Sequence, residues 1–109
     1  MDFDIDEVIA QMAEAIKGSV QQDWTYVKEK AAAFLQERKS RLELLASLRI
    51  MNHIEQEFFE LRLTDEKEIL ESELHALALI TKVVAQNAAN AAIDILRKAV
   101  DAALDISIS

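Results

Sequence analysis

Each of the two histidines lies four residues from a glutamate, a spacing at which two metal ligands share one face of a helix. Glu71 precedes His75, and Glu57 follows His53. A two-fold dimer would double either pair into four ligands, but the Glu-x-x-His spacing of di-metal helical bundles does not occur in this sequence. Glu71 and His75 are therefore weak metal candidates, and a solvated glutamate–histidine pair is the favoured interpretation. We expect no metal and no cofactor.

Signatures of covalent catalysis and of nucleotide binding are missing from the sequence. The few serines and threonines have no local pattern of histidine and aspartate that would activate a nucleophile. Gly18 is the only glycine, so no glycine-rich loop can surround a phosphate, and the absence of cysteine excludes disulfides and thiolate metal sites. We therefore expect a protein that is not an enzyme.

The only basic cluster is the segment Gln-Glu-Arg-Lys-Ser-Arg at residues 36–41. Arg38 interrupts an apolar stripe, and it either forms a buried ion pair with Glu66 or Glu73 or packs its alkyl stem on the core while its guanidinium reaches water. The second interpretation is favoured. Acidic residues of the following helix should neutralise the cluster, and the net charge of −8 opposes binding to nucleic acid. We predict no nucleic-acid partner.

Four further side chains have two interpretations each. Trp24 and Tyr26 lie near the junction of the first two helices, where they either form a hot spot for a partner or, as we favour, close the end of a bundle. Asn87 and Asn90 either lie inside a dimer seam and specify its register or face water. The sequence does not decide between these two alternatives for the asparagines.

The elements that carry these residues must be helices. The chain has no proline and one glycine, and it lacks the Asn-Gly and Asp-Gly turns that a β-rich fold of this length would need. Apolar residues make up 51% and charged residues 29%, which is typical of a globular or coiled-coil protein. We predict an all-α fold in a single helical domain over residues 1–109.

Apolar residues recur at spacings of three and four along three segments of the chain. Asp4 or Asp6 is expected to cap the first helix, and Gly18 marks its end. Asn52 is the best candidate for a left-handed residue between the second and third helices. Nothing requires a break in the third helix, although residues 64–65 are a candidate. The predicted helices span about 5–18, 22–50 and 54–104, with a turn at 51–53.

Charge supports an antiparallel hairpin around the predicted turn. Residues 27–50 carry a net charge of +3, whereas residues 51–73 carry −6, so the two segments attract each other when they lie side by side. Pairing around the turn places residue 24 near residue 80. The third helix should therefore extend beyond the second by roughly twenty residues, or about 30 Å.

The extension from Val84 to Leu104 is apolar over about two-thirds of its surface, more than one neighbouring helix covers. The first helix can cover one flank, and the other flank is expected to have no partner within the chain. Because an exposed apolar face usually marks an interface, we predict a homodimer of hairpins that forms a four-helix-type bundle. The predicted interface residues are Val84, Ala88, Ala91, Ala92, Ile95 and Ala99.

These patterns favour a non-enzymatic structural or interaction module, a self-associating helical hairpin that serves assembly or docks another helical protein. The alternative is a metal-binding helical bundle whose carboxylate and histidine ligands meet across a dimer. The N-terminal segment is acidic where an export signal is basic, and the longest nearly uncharged run is shorter than the ~20 residues that span a bilayer. We therefore expect a cytoplasmic protein without stable membrane insertion.

Overall fold

The computed structural model describes residues 3–77 and 80–108, and these residues form four α-helices and a short 3-10 segment. No strand occurs within those two ranges, so the all-α prediction is confirmed. No helix in the same ranges has the length and apolar character needed to cross a membrane. The elements are α1 (Ile5–Val20), the 3-10 segment (Gln21–Asp23), α2 (Trp24–Ile50), α3 (Gln56–Leu77) and α4 (Lys82–Ile108).

The four helices form a closed ring in which each helix packs against the helices before and after it. The most extensive contact is between α1 and α4, which closes the ring, and α2 also reaches α4 across the middle. Successive helices run antiparallel. The start of α1 contacts the second half of α2 through Asp6 and Lys39, the end of α2 meets the start of α3, and Glu60 near the start of α3 contacts Arg97 in the second half of α4. This is the up-down-up-down arrangement of a four-helix bundle, with all four helices supplied by one chain.

The prediction of one long third helix over residues 54–104 is wrong. The helix α3 ends at Leu77, and a separate helix, α4, begins at Lys82. Thr81 caps α4, because its hydroxyl accepts a hydrogen bond of 3.2 Å from the backbone N–H of Val84. The candidate break at residues 64–65 does not occur, and α3 is helical through it.

Folding back against α1 and α3 covers the apolar surface of α4 within the chain. The expectation that one flank lacks an internal partner is therefore wrong, and the prediction of a dimer through α4 loses its basis. Alanines on α4 allow neighbouring helices to approach closely, and α1 and α3 cover the two flanks that a straight helix would leave in water. Of the six predicted interface residues, Ala88 and Ala92 are fully buried, and Val84, Ala91, Ile95 and Ala99 are partly buried.

The ends of the helices follow from local hydrogen bonding. The carboxylate of Asp4 caps α1, accepting from the backbone N–H groups of Asp6 and Glu7 at 3.0 and 3.4 Å. The end of α1 lies two residues beyond the predicted one, at Val20, where Gln21 adopts a positive φ of 52°. Asn52 has a φ of 60°, the left-handed conformation predicted for it between α2 and α3.

Charged side chains link neighbouring helices on the surface of the bundle. Lys39 of α2 pairs with Asp6 of α1 rather than with α3 as expected, and Arg97 of α4 pairs with Glu60 of α3 at 2.9 Å. The carboxylate of Asp6 raises the pKa of Lys39 above its ordinary value of 10.5, first through a hydrogen bond and second through its charge. Because these groups are partly solvated, they orient the helices more than they stabilise them.

The packing of α4 predicts that Ala92→Leu destabilises the protein by about 1–3 kcal/mol, because the added atoms enter a fully packed core. Urea unfolding followed by circular dichroism measures this loss. Ala102→Leu is the matched control, since Ala102 is exposed on the same helix, and its effect should stay within about 0.5 kcal/mol. Equal losses from the two changes would contradict the orientation of α4.

Candidate protein-binding groove between α2 and α3

Exposed apolar side chains are concentrated on the outer side of the α2–α3 hairpin. Two of them, Leu44 of α2 and Phe58 of α3, line a groove of about 260 Å³ together with the partly buried Leu45 and Leu48 of α2. Charged side chains form its rim: Arg41, Arg62, Asp65 and Glu66. Within the described ranges, six of the seven exposed large apolar side chains lie on this hairpin, namely Tyr26, Leu44, Met51, Phe58, Leu61 and Ile69.

The α2 wall of the groove arises because this helix is apolar on more than one face. Leu42 and Ala46 are buried in the bundle. At about 100° per residue, Leu44 projects roughly 160° away from Leu42, so the two side chains cannot share one face. Leu44 is therefore 60% exposed, and Leu48, one turn later, is only partly buried. The adjacent leucines in Leu-Glu-Leu-Leu at residues 42–45 indicate a second apolar face on this helix. The prediction of a single apolar stripe did not include that face.

The α3 wall of the groove is a stripe beside the buried face of that helix. Phe59 and Leu63 face the core, whereas Phe58 and Arg62 project onto the flank next to α2. The guanidinium of Arg62 lies 5.1 Å from the centre of the Phe58 ring, and it pairs with Asp65 at 3.6 Å. The wall therefore offers an aromatic surface with one cation and one anion beside it.

A buried carboxylate anchors the two walls to each other. Glu66 of α3 is only 5% exposed, and it accepts hydrogen bonds from Arg38 at 2.8 Å and from Arg41 at 2.9 Å, both on α2. The less favoured interpretation of Arg38, an ion pair with Glu66, is therefore the one seen, with the arginine side chain 23% exposed and the glutamate side chain 6%. Arg38 and Glu66 lie equally far from Asn52 along the chain, so the turn brings them together in register.

The basic cluster at residues 36–41 is paired throughout with carboxylates. Arg38 and Arg41 share Glu66, and Lys39 contacts Asp6. The predicted pairing with acidic residues of the following helix is seen for Arg38 and Arg41, whereas α1 supplies the partner of Lys39.

The weak metal candidates do not assemble into a site. His75 is exposed, and its Nδ1 lies 3.1 Å from the carbonyl oxygen of Ile80, in the connection between α3 and α4. Glu71 is partly buried four residues earlier on α3, and His53 and Glu57 are both exposed near the α2–α3 turn. Over residues 3–77 and 80–108, no three side chains of the metal-binding types are grouped so that they could hold an ion.

The remaining candidates divide between packing and exposure. Trp24 is partly buried against the core at the start of α2, in line with the favoured interpretation. Tyr26 is exposed. Asn87 and Asn90 are both exposed on α4.

Comparison of the chain with models of known protein families, with curated proteins and with solved structures finds no match. The lining of the groove consists of leucines and one phenylalanine under a charged rim, with no nucleophilic side chain among them. An apolar centre within a polar rim is typical of a protein-binding surface.

The anchoring role of Glu66 predicts that Glu66→Ala lowers the free energy of unfolding by about 2–3 kcal/mol, because two arginines lose their shared partner. Thermal and urea unfolding measure the change. The exposed Glu68 lies two residues further along α3, and Glu68→Ala should cost no more than about 0.5 kcal/mol. A neutral Glu66→Ala would mean that the ion pairs do not hold the hairpin together.

Proposed function

We propose that this chain is a non-enzymatic assembly module that binds a second copy of itself through the outer face of α2 and α3. The groove between the two helices is the observation that supports this proposal. It exposes Leu44 and Phe58 to solvent although the core of the bundle is complete without them.

The two exposed apolar residues of the groove, Leu44 and Phe58, lie outside the buried core of the bundle. The faces of α2 and α3 that point into the bundle include Leu42, Ala46, Phe59 and Leu63, and all four are buried. Leu44 and Phe58 remain 60% and 43% exposed, and covering that surface would gain about 25 cal/mol per Å² of apolar area. A second protein surface placed over the groove provides that cover.

The charged rim favours a second copy of the chain as the occupant. Arg41 and Arg62 supply positive charge, and Asp65 supplies negative charge beside them. In a two-fold dimer the same patch faces itself, so a patch with both signs can pair each charge with its opposite. A partner of one sign would leave part of the rim facing a like charge.

The dimensions of the bundle also fit a dimer. The molecule extends over 42 × 23 × 20 Å. Contact along one long side would cover roughly 800 Å² on each partner, which is the size of a standard specific interface. The proposed surface lies on the hairpin and replaces the interface predicted on α4, because α4 is covered within the chain.

Self-association through the groove predicts that Leu44→Glu raises the dimer dissociation constant about 30-fold or more, since a charge replaces a central apolar contact. Sedimentation velocity over a dilution series measures the constant. Val83→Glu is the matched control, because Val83 is 63% exposed and Leu44 60%, but Val83 lies at the start of α4. The control should dimerise like the unmodified protein.

Circular dichroism and urea unfolding of both variants check that the bundle remains folded, as expected for changes at exposed positions. The proposal is wrong if the unmodified protein sediments as a monomer up to about 100 µM, where a Kd in the micromolar range would give a dimer. It is also wrong if the two variants weaken association equally.

A further inference from the structure

An exposed stripe on α3 has the same spacing in both directions along the helix. Phe58, Arg62, Asp65 and Ile69 follow one another at intervals of four, three and four residues. At 100° per residue they lie within an arc of about 60°. All four are between 39% and 51% exposed, so the whole stripe is accessible. Its chemical order is apolar, basic, acidic, apolar.

This order is complementary to itself when two helices run antiparallel. A two-fold axis that crosses α3 between Leu63 and Thr64 exchanges the two halves of the stripe. Phe58 then faces the partner's Ile69, and Arg62 faces the partner's Asp65. Every apolar side chain meets an apolar one, and every charge meets its opposite.

We propose that two copies of the chain pair α3 against α3 in this antiparallel register, with the partner's Ile69 entering the groove of Leu44, Leu48 and Phe58. The inference rests on the proposed self-association and specifies its geometry. Phe58 forms one wall of the groove, so the side chain that lies opposite Phe58 also lies over Leu44 and Leu48.

Other arrangements of the same stripe create unfavourable contacts. Parallel pairing places Arg62 against Arg62 and Asp65 against Asp65, and like charges in contact are destabilising. An antiparallel pair displaced by one turn places Phe58 against the partner's Asp65. The stripe therefore selects one register, in the way that charges flanking an apolar seam select partners in coiled coils.

The charges are able to exchange partners at little cost. Arg62 and Asp65 are 3.6 Å apart within one chain, and both are about half exposed. Such pairs contribute only ~0.2–1 kcal/mol. Replacing one intrachain pair on each copy with two pairs between copies therefore requires no loss from the bundle itself.

Two charge reversals test this register. Arg62→Glu makes the centre of the stripe acidic, and Asp65→Lys makes it basic. Each variant alone should dimerise at least about tenfold more weakly than the unmodified chain, because like charges then face each other twice. An equal mixture should form a heterodimer with a dissociation constant within about tenfold of the original, since the acidic centre of one variant faces the basic centre of the other.

Sedimentation velocity of each variant and of the mixture, with one variant fluorescently labelled, distinguishes these species. Lys98→Glu and Asp101→Lys are the matched controls, because these residues have the same three-residue spacing and are exposed on α4. The controls should leave self-association unchanged. High salt should reduce the preference of the mixture for the heterodimer.

Three results would overturn the register. If the unmodified chain dimerises and Leu44→Glu prevents it, but the mixture does not form heterodimers, the register is wrong and the proposed function stands. If either charge variant dimerises as strongly as the unmodified chain, the stripe is not in the interface. If the unmodified chain is a monomer, the proposed function and the register both fail.

Discussion

The burial of α4 is the constraint on which the rest of this structure depends. Its apolar surface is too wide for one neighbouring helix, and α1 and α3 together cover it once the chain reverses after Leu77. Small side chains such as Ala88 and Ala92 allow this close approach, and both are fully buried. Closing the ring between α1 and α4 also fixes which surfaces remain outside, since the inner faces of all four helices are then occupied. The outer side of α2 and α3 is one of those surfaces.

A buried ion pair fixes how α2 and α3 lie against each other. Burying Glu66 is costly, and Arg38 and Arg41 offset that cost only when their guanidinium groups reach it. A displaced hairpin would leave the carboxylate without these partners, so the contact selects a register more than it adds stability. That register brings Leu44 and Leu48 next to Phe58. The groove is therefore a consequence of the same contact that aligns the two helices.

Sequence reasoning predicted the helical class and the hairpin but not the reversal between α3 and α4. The scarcity of glycine and proline required helices, and Asn52 with the opposite charges of its flanking segments located the first turn. The second turn has no comparable signal. At this second turn the only capping signal is Thr81, which precedes the apolar residues of α4. The prediction did not use it, because the residues before Thr81 also permit a continuous helix. The chain turns back because α4 becomes buried against α1 and α3, and the helix propensities of the residues around the turn do not reveal that packing. The groove was missed for a different reason, since the prediction considered one apolar stripe on α2 and gave Leu44 no role.

Surplus apolar surface remains the argument for association, although it lies on a different part of the molecule from the one predicted. Exposed ion pairs contribute too little to hold two bundles together, so in the proposed dimer the leucines and Phe58 would supply most of the affinity. The charges have a different role, because a wrong pairing of Arg62 and Asp65 costs more than a correct pairing gains. An apolar groove alone would accept many helices in many registers. The same groove beside a stripe of both charges discriminates between them, and a second copy of α3 satisfies both requirements at once.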